Sequence, residues 1–357
     1  MEDYLQHYNQ LSLKESELIE CDLYDRPAFL INSISLAQNV LKLNNYSPPP
    51  VHPYLKLRDA LTGAGKEILY LEPGKSQVNW NLLSHRLYTR LAGKIGIQID
   101  IGEIIQEIVY SFSAEVLFGL KIDDWSSDFV SAIDKYQKIV AHRSPQELEM
   151  MPEYHRAVNK LNTFAQALTK KKSRVDQGWH ILITLINAAH ATSLIISWCL
   201  YELGRDTSLQ TIIRDSQGSK SWIEMCMLET LRMYPPAWLI GRVAAKEHLL
   251  MDTIIPKDAY ISICIYSLQR TVGLWKKPNE FMPARWARDE KKFANKLLAF
   301  GAGSRKCPAS SFGFELGSYV VNELTMHGSF HSTHVSHPLG LIALEPDQSI
   351  KLEYTSL

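Results

Sequence analysis

The run Phe300-Gly301-Ala302-Gly303-Ser304-Arg305-Lys306-Cys307-Pro308-Ala309 sets one cysteine at the mouth of a helix, behind a loop with two glycines. Amides at a helix N-terminus and the positive end of its dipole favour a thiolate over a thiol, so the spacing predicts Cys307 as an anionic sulfur ligand. Pro308 suits the first helical turn, where no amide donor is missed. Gly301 and Gly303 allow backbone angles closed to other residues and leave room for a flat group against the loop. On these ten residues alone, a buried and inert cysteine beside a loop arginine is the competing reading. Upstream, Glu229 and Arg232 stand three apart in Glu229-Thr230-Leu231-Arg232, share a helix face and can meet as an ion pair.

Phe-x-x-Gly-x-Arg-x-Cys, carried by Phe300, Gly303, Arg305 and Cys307, resembles the haem-binding loop of the cytochrome P450 family, the haem-thiolate monooxygenases. The resemblance implies haem b (iron protoporphyrin IX) as cofactor and Cys307 as its proximal iron ligand. It also implies that Arg305 pairs with a propionate and that Phe300 packs beneath the porphyrin, with Gly301 leaving room for it. One departure is Ala309, where the family has glycine, a methyl expected to crowd the haem face without forbidding it. Pro278-Asn279-Glu280-Phe281-Met282-Pro283-Ala284-Arg285-Trp286 resembles a further family motif and supplies Arg285 as the other arm of a Glu229, Arg232, Arg285 cluster. A carboxylate held by two guanidinium forks is geometrically strict, so this cluster is expected to lock the meander that presents the cysteine loop. Arg242 falls where the family commonly has a propionate-binding arginine; an exposed arginine before a strand is the alternative. In the N-terminal half the family often carries Trp-x-x-x-Arg or His-x-x-x-Arg, but Ser84 follows four residues after Trp80 and Thr89 four after His85. Trp80, His85, Arg86 and Arg90 are all candidates there, and Trp80 and Arg86 are taken as cofactor contacts.

By the same resemblance, Ala188-Ala189-His190-Ala191-Thr192-Ser193 aligns with the family's Ala-Gly-x-Asp/Glu-Thr-Thr segment over the distal face of the haem. That makes Thr192 the catalytic alcohol, expected to distort its helix, hold water and pass protons, with Ala188 and Ala189 against the cofactor. Ala191 replaces the family's acid, and an alkyl side chain relays no proton. His190 occupies the unspecified position and is expected to point away from the haem; Asn187, one turn before Ala191, can hold water. Three proton economies stay open: relay by water or substrate, peroxide in place of dioxygen, or hydrogen-atom abstraction followed by radical coupling. Substrate contacts carried over from the family's fold are the Pro48 to Gly65 segment, Leu185 and Ala188, Trp238 and Leu239, and the turn at Leu339. These are mostly apolar or aromatic, which implies a hydrophobic or aromatic small molecule. The stretches from Leu120 to Ile181 and from Leu203 to Ser221 are short for the family, which implies a trimmed lid.

The elements that must position these residues are mostly helical. Ala28 to Asn32 reads as a strand, and Ser33 opens a helix through Val40. Trp80 to Leu91 reads as a helix; Asp100 is the expected N-cap of the next, whose Ile101, Ile104, Ile105, Ile108 and Phe112 share a face. Asp128 to Ala141 and Pro152 to Lys172 read as a helical pair, and Ser221 to Tyr234 as a helix stopped by Pro235-Pro236. His248 to Met251 and Tyr260 to Ile265 read as strands, and Leu341 to Leu344 with Ile350 to Tyr354 as a closing hairpin. The expected fold class is therefore mainly α with small β sheets. The resemblance specifies it as the single-domain cytochrome P450 fold, a triangular helical prism with a long distal helix over the haem, covering 25–357 after a polar lead over 1–24.

Bulk composition restricts the function classes further. The 38 acidic and 38 basic residues balance, so no global charge steers the chain to nucleic acid. Five scattered cysteines form no disulfide framework and suit a reducing compartment. The first thirty residues lack the pattern of a signal peptide or membrane anchor. Ile181 to Leu203 is apolar enough to tempt a membrane reading, but Asn187, His190, Thr192 and Ser193 in its middle favour a helix buried in the core. The expectation is a short, soluble, cytoplasmic, monomeric bacterial-type haem-thiolate oxidase of secondary metabolism, without nucleic-acid or membrane partners. It would hydroxylate, epoxidise or oxidatively couple its substrate; a non-catalytic haem or ligand binder and a peroxide-driven oxidase are the alternatives. If dioxygen is used, electrons come from a ferredoxin or flavodoxin with its reductase, docking near Lys291, Lys292, Lys296, Arg305 and Lys306. His327, His331, His334 and His337 lack cysteine partners and are not read as a metal site.

Overall fold

Side-chain caps start the helices where the sequence places them. Asp100 accepts the Glu103 amide at 3.1 Å, and the helix Ile101–Phe118 runs to Gly119, whose φ of 65° ends it in the left-handed region. Ser33 accepts the Leu36 amide ahead of Ile34–Lys42, and Asn79 accepts the Leu82 amide ahead of Trp80–Leu91. The remaining long helices are Ser126–Val140, Pro152–Lys170, Gln177–Arg205, Lys220–Met233 and Ser310–His327. The strands are β1 (Leu18–Leu23), β2 (Arg26–Ile31), β3 (Tyr46–Ser47), β4 (Gln98–Asp100), β5 (Leu239–Ala244) and β6 (His248–Leu250). They continue as β7 (Thr253–Ile255), β8 (Tyr260–Cys264), β9 (Gly328–Ser332), β10 (Pro338–Gly340), β11 (Leu344–Pro346) and β12 (Lys351–Ser356). The chain is mainly α with small sheets, as expected. The computed structural model describes residues 4–23, 26–43, 45–47, 78–141, 143, 145–170, 177–216, 220–287 and 296–356. The expected substrate segment Pro48 to Gly65, and Lys291 and Lys292 of the expected basic patch, lie outside the described residues.

Two compact units divide the chain: Met1–His52 with Leu228–Cys307, and Pro53–Met227 with Pro308–Leu357. The first holds a five-stranded sheet in the order β1-β2-β8-β5-β3, antiparallel except for the parallel pair β2 and β8. Phe29, Ile31, Ile261 and Ile263 pack with Val40 of the helix Ile34–Lys42 into its core. The stretch expected as a polar lead takes part: Leu5 and Tyr8 of the helix Tyr4–Leu11 are buried, Tyr8 shares a 2.9 Å hydrogen bond with Ser262, and β1 is an edge strand.

The second unit is built around Gln177–Arg205, which packs against Ile101–Phe118, Pro152–Lys170 and Ser310–His327. Among the described residues one helix, Ile181–Arg205, is long and apolar enough to cross a membrane, and 72% of its most apolar stretch is buried in the fold. Trp198, Cys199 and Leu200 have no exposure at all, which accounts for the apolar run. The expected closing hairpin does not form. β11 pairs with β10, while β12 lies between β4 and β9 and buries Leu352 and Tyr354. Two alternating strands look alike locally, and their partners are set by which face each must bury.

Candidate active site

The cysteine loop is tied from both sides within its unit. Gln269 accepts the Leu298 amide at 2.9 Å, Leu298 accepts the Gly301 amide at 2.8 Å, and Phe300 accepts the Cys307 amide at 2.9 Å. Gly301 and Gly303 take φ of 69° and 72°, as the turn requires. Their uses differ. A Cβ on Gly303 would lie 2.3 Å from the Leu41 carbonyl oxygen, so this glycine serves close contact with the helix Ile34–Lys42. A Cβ on Gly301 would meet only Arg305 O at 3.9 Å and Ile240 Cδ1 at 4.0 Å, so its face is the open one. Cys307 is partly exposed and stands three residues before the first helical residue, Ser310.

Arg242, half-buried on β5, donates Nη1 to Gly241 O at 2.8 Å. Burial and the nearby Arg305 guanidinium both lower its pKa. Arg305 is exposed in a short 3-10 turn, and among the described residues neither arginine pairs with a carboxylate. Two cations that act on each other in this way attract anions.

The predicted Glu229 cluster is complete. Its Oε1 accepts from Arg232 Nη2 at 2.8 Å, Arg285 Nε at 2.9 Å and the Met282 amide at 2.9 Å. Its Oε2 accepts from Arg232 Nε and from the Trp286 indole, both at 2.9 Å. Outward, Arg232 donates to the carbonyls of Gln269 and Pro278, and Arg285 to that of Lys276, so the forks staple residues 276–286 around one carboxylate. Spacing foretold the pair and motif the third arm; the Met282 amide and Trp286 had no sequence signal beyond adjacency to Arg285.

In the other unit, the long helix stays regular through Thr192, without the expected distortion. Thr192 Oγ1 donates to Ala188 O at 2.8 Å, is almost fully buried, and would lie 3.2 Å from a Cβ on Gly313. The exposed and partly exposed positions Thr184, Asn187, Ala188 and Ala191 form one open strip, as helical periodicity allows. Leu185 and Ala189, expected against substrate and cofactor, have no exposure and belong to the core beside that strip. His190 is buried, and its Nε2 lies 3.3 Å from Glu345 Oε1.

Other expected contacts are redirected. Arg86 donates Nη2 to Glu115 at 2.6 Å and lies 3.2 Å from Asp123, so it is committed to carboxylates rather than to a propionate. Arg90 pairs with Glu107, and these side chains border a polar cleft of 580 Å³ with His85 and Asp128. Trp80 stacks on Tyr319 with ring centroids 4.6 Å apart. Trp238 is buried edge-on to Tyr8, in the core of its unit rather than on an open wall, while Leu239 and Leu339 are partly buried. Among the described residues no three or more His, Cys, Asp or Glu converge as a metal site.

Haem b suits the donor set of the first unit: a partly exposed sulfur at Cys307, an open face at Gly301, and the neighbouring cations Arg242 and Arg305. A sequence model described as cytochrome P450 matches residues 179–313. Cytochrome P450 714A2 of Arabidopsis thaliana is 29% identical over 180 residues, 45% of this chain and 34% of that protein. Cytokinin hydroxylase of Arabidopsis thaliana is 24% identical over 321 residues, 74% of this chain and 62% of the relative. Flavonoid-6-hydroxylase of Ocimum basilicum is 31% identical over 150 residues, 40% of this chain and 27% of the relative. The chain thus spans between 27% and 62% of the length of these relatives.

Proposed function

We propose that this chain, whose residues 179–313 match a cytochrome P450 model, is a haem-thiolate monooxygenase or oxidase of that family acting on a hydrophobic or aromatic small molecule. The observation that carries the reading is Arg242 and Arg305, two like charges that act on each other without a carboxylate partner among the described residues, in the unit that also carries Cys307. Haem b, when bound, supplies the redox chemistry at its iron. Cys307 is its sulfur ligand, Arg242 and Arg305 hold its propionates, and Phe300 and Gly301 offer it a flat face.

Proton handling falls to few side chains. The Thr192 hydrogen is engaged by Ala188 O, which leaves Thr192 Oγ1 to accept from a water or a substrate hydroxyl. Ala191 offers no acid, and Asn187 on the open strip can hold the water that takes its place. This favours protons delivered by water or by the substrate itself, and leaves hydroxylation, epoxidation and oxidative coupling as the reaction types. Ferredoxin or flavodoxin with its reductase is the proposed electron source, meeting the exposed Arg305 and Lys306 with Lys296 nearby in sequence.

Cys307→Ala should abolish the red-shifted Soret band of the reduced, carbon-monoxide-bound protein; an unchanged band would falsify the ligand assignment. Heavy-oxygen labelling of the product separates oxygen insertion from coupling. The engaged Thr192 hydroxyl beside Ala191 also favours a second reading, a haem or ligand binder without turnover. Product formation with either a reductase system or peroxide excludes it.

A further inference from the structure

The long helix carries a second polar cluster, buried beside its open strip, that the chemistry proposed above does not use. His190 is 2% exposed, and its Nε2 lies 3.3 Å from Glu345 Oε1 on β11. Asp134, from the helix Ser126–Val140, acts on the same imidazole. Burial works against a charged imidazole, but Glu345 and Asp134 outweigh it and raise the His190 pKa above its ordinary value. Asp134 is itself pushed up to about 6, chiefly by burial; His190 and Lys138 act against that rise, and Glu345 and Asp100 add to it. The cluster is a buried imidazole whose proton affinity is raised by two acids.

Its place in the topology gives it a use. Glu345 stands directly opposite Leu339 in the antiparallel β10–β11 pair, and directly opposed side chains share one face of a hairpin. The group that meets His190 is therefore the cross-strand neighbour of Leu339. Two neutral contacts farther along the helix hold the same stretch. Trp198 Nε1 donates to Leu344 O at 3.4 Å, and the Ser336 amide donates to Tyr201 Oη at 2.9 Å. Among the described residues, His190 to Glu345 is the charged attachment of this hairpin to the helix.

We propose that His190 and Glu345 are positioning residues, a latch that holds the β10–β11 hairpin, and with it Leu339, against the long helix as one wall of the substrate site. The wall role rests on the assignment of Leu339 as a substrate contact. A group whose folded pKa is raised contributes most below its unfolded value and loses that contribution as pH rises through the folded one. The latch is therefore closed on the acid side and weakens as His190 loses its proton. Below about 6, protonation of Asp134 removes one flanking acid.

The test compares the full chain with His190→Gln, Glu345→Gln and the double variant. Amide hydrogen exchange of residues 338–346, corrected for intrinsic rates, is followed between about pH 6 and about pH 9. The wild-type segment should open roughly tenfold more readily at the alkaline end, a coupling of about 1.4 kcal/mol. Each single variant should be open at both ends with the pH dependence gone, and the double variant no worse than either. Singles that exchange like the wild type, or that keep its pH dependence, overturn the latch. If His190→Gln fails to fold, the near-isosteric Glu345→Gln reads the same contact.

Soret titrations of the haem-loaded protein with imidazole and with the bulkier phenylimidazole test the wall. Phenylimidazole should bind several-fold more weakly to the variants while imidazole is unaffected. A loosened hairpin with unchanged phenylimidazole affinity overturns the wall role. No Soret response to imidazole in the wild type would sink the haem assignment instead, and the exchange comparison would still decide the latch.

Discussion

Two pairs of arginines sit in one unit and have opposite surroundings. Arg232 and Arg285 converge on Glu229, whose two oxygens accept five hydrogen bonds from the forks, an indole and an amide. Arg242 and Arg305 repel each other, and no carboxylate among the described residues pairs with either. A buried ion cluster is tolerable when each charge is matched and each donor occupied, and the Glu229 cluster meets both conditions. The other pair meets neither by itself. Arginine in a motif is thus structural where the chain brings its own anion; where no described carboxylate answers it, the ligand-holding role is the one proposed above.

Substitutions can break this distinction. Glu229→Gln has the largest expected effect, because Arg232 has no exposure and would be left as an unmatched buried charge. A loss of about 3–5 kcal/mol is expected in urea unfolding. Arg242→Gln should do the reverse and leave the haem-free protein within about 0.5 kcal/mol of the parent. Its haem affinity, measured by transfer to an acceptor apoprotein, should fall by about tenfold to a hundredfold, for one charge-assisted hydrogen bond of about 1.5–3 kcal/mol. Equal stability losses in the two variants would erase the comparison. Arg285→Lys sharpens it with the smallest effect: the charge on Glu229 stays, but the fork that also reaches the carbonyls of Lys276, Lys277 and Glu280 is lost. About 1–2 kcal/mol of destabilisation is expected, since an ammonium cannot span both sets of acceptors.

Much of this was legible locally. Asp100 as a cap, Glu229 with Arg232 on one helix face, and the apolar run through Trp198 each depend on residues a few positions apart. Leu185 and Trp238 show where that reading fails, because an apolar side chain suits a pocket wall and a core equally, and only burial separates them. Arg86 fails for the matching electrostatic reason. It is a candidate propionate contact although neither family spacing reaches it, and Glu115 and Asp123 engage its guanidinium instead. The polar lead had too few apolar residues to announce its edge strand, and β12 gave no sign that β4 and β9 would be its partners. His190 and Glu345 are 155 positions apart, and no local pattern joins them.

The sequence by itself determined the chemical inventory: a thiol behind a glycine turn, a carboxylate spaced for a guanidinium, and an alkyl group where an acid would relay protons. Short-range geometry suffices for these, since helix periodicity and turn angles are properties of a few consecutive residues. Only the tertiary structure decided which of the charged groups are already matched. Coulombic attraction and desolvation act through space, so Arg232 with its five-bonded carboxylate and Arg242 beside another cation became different kinds of residue only when the chain folded.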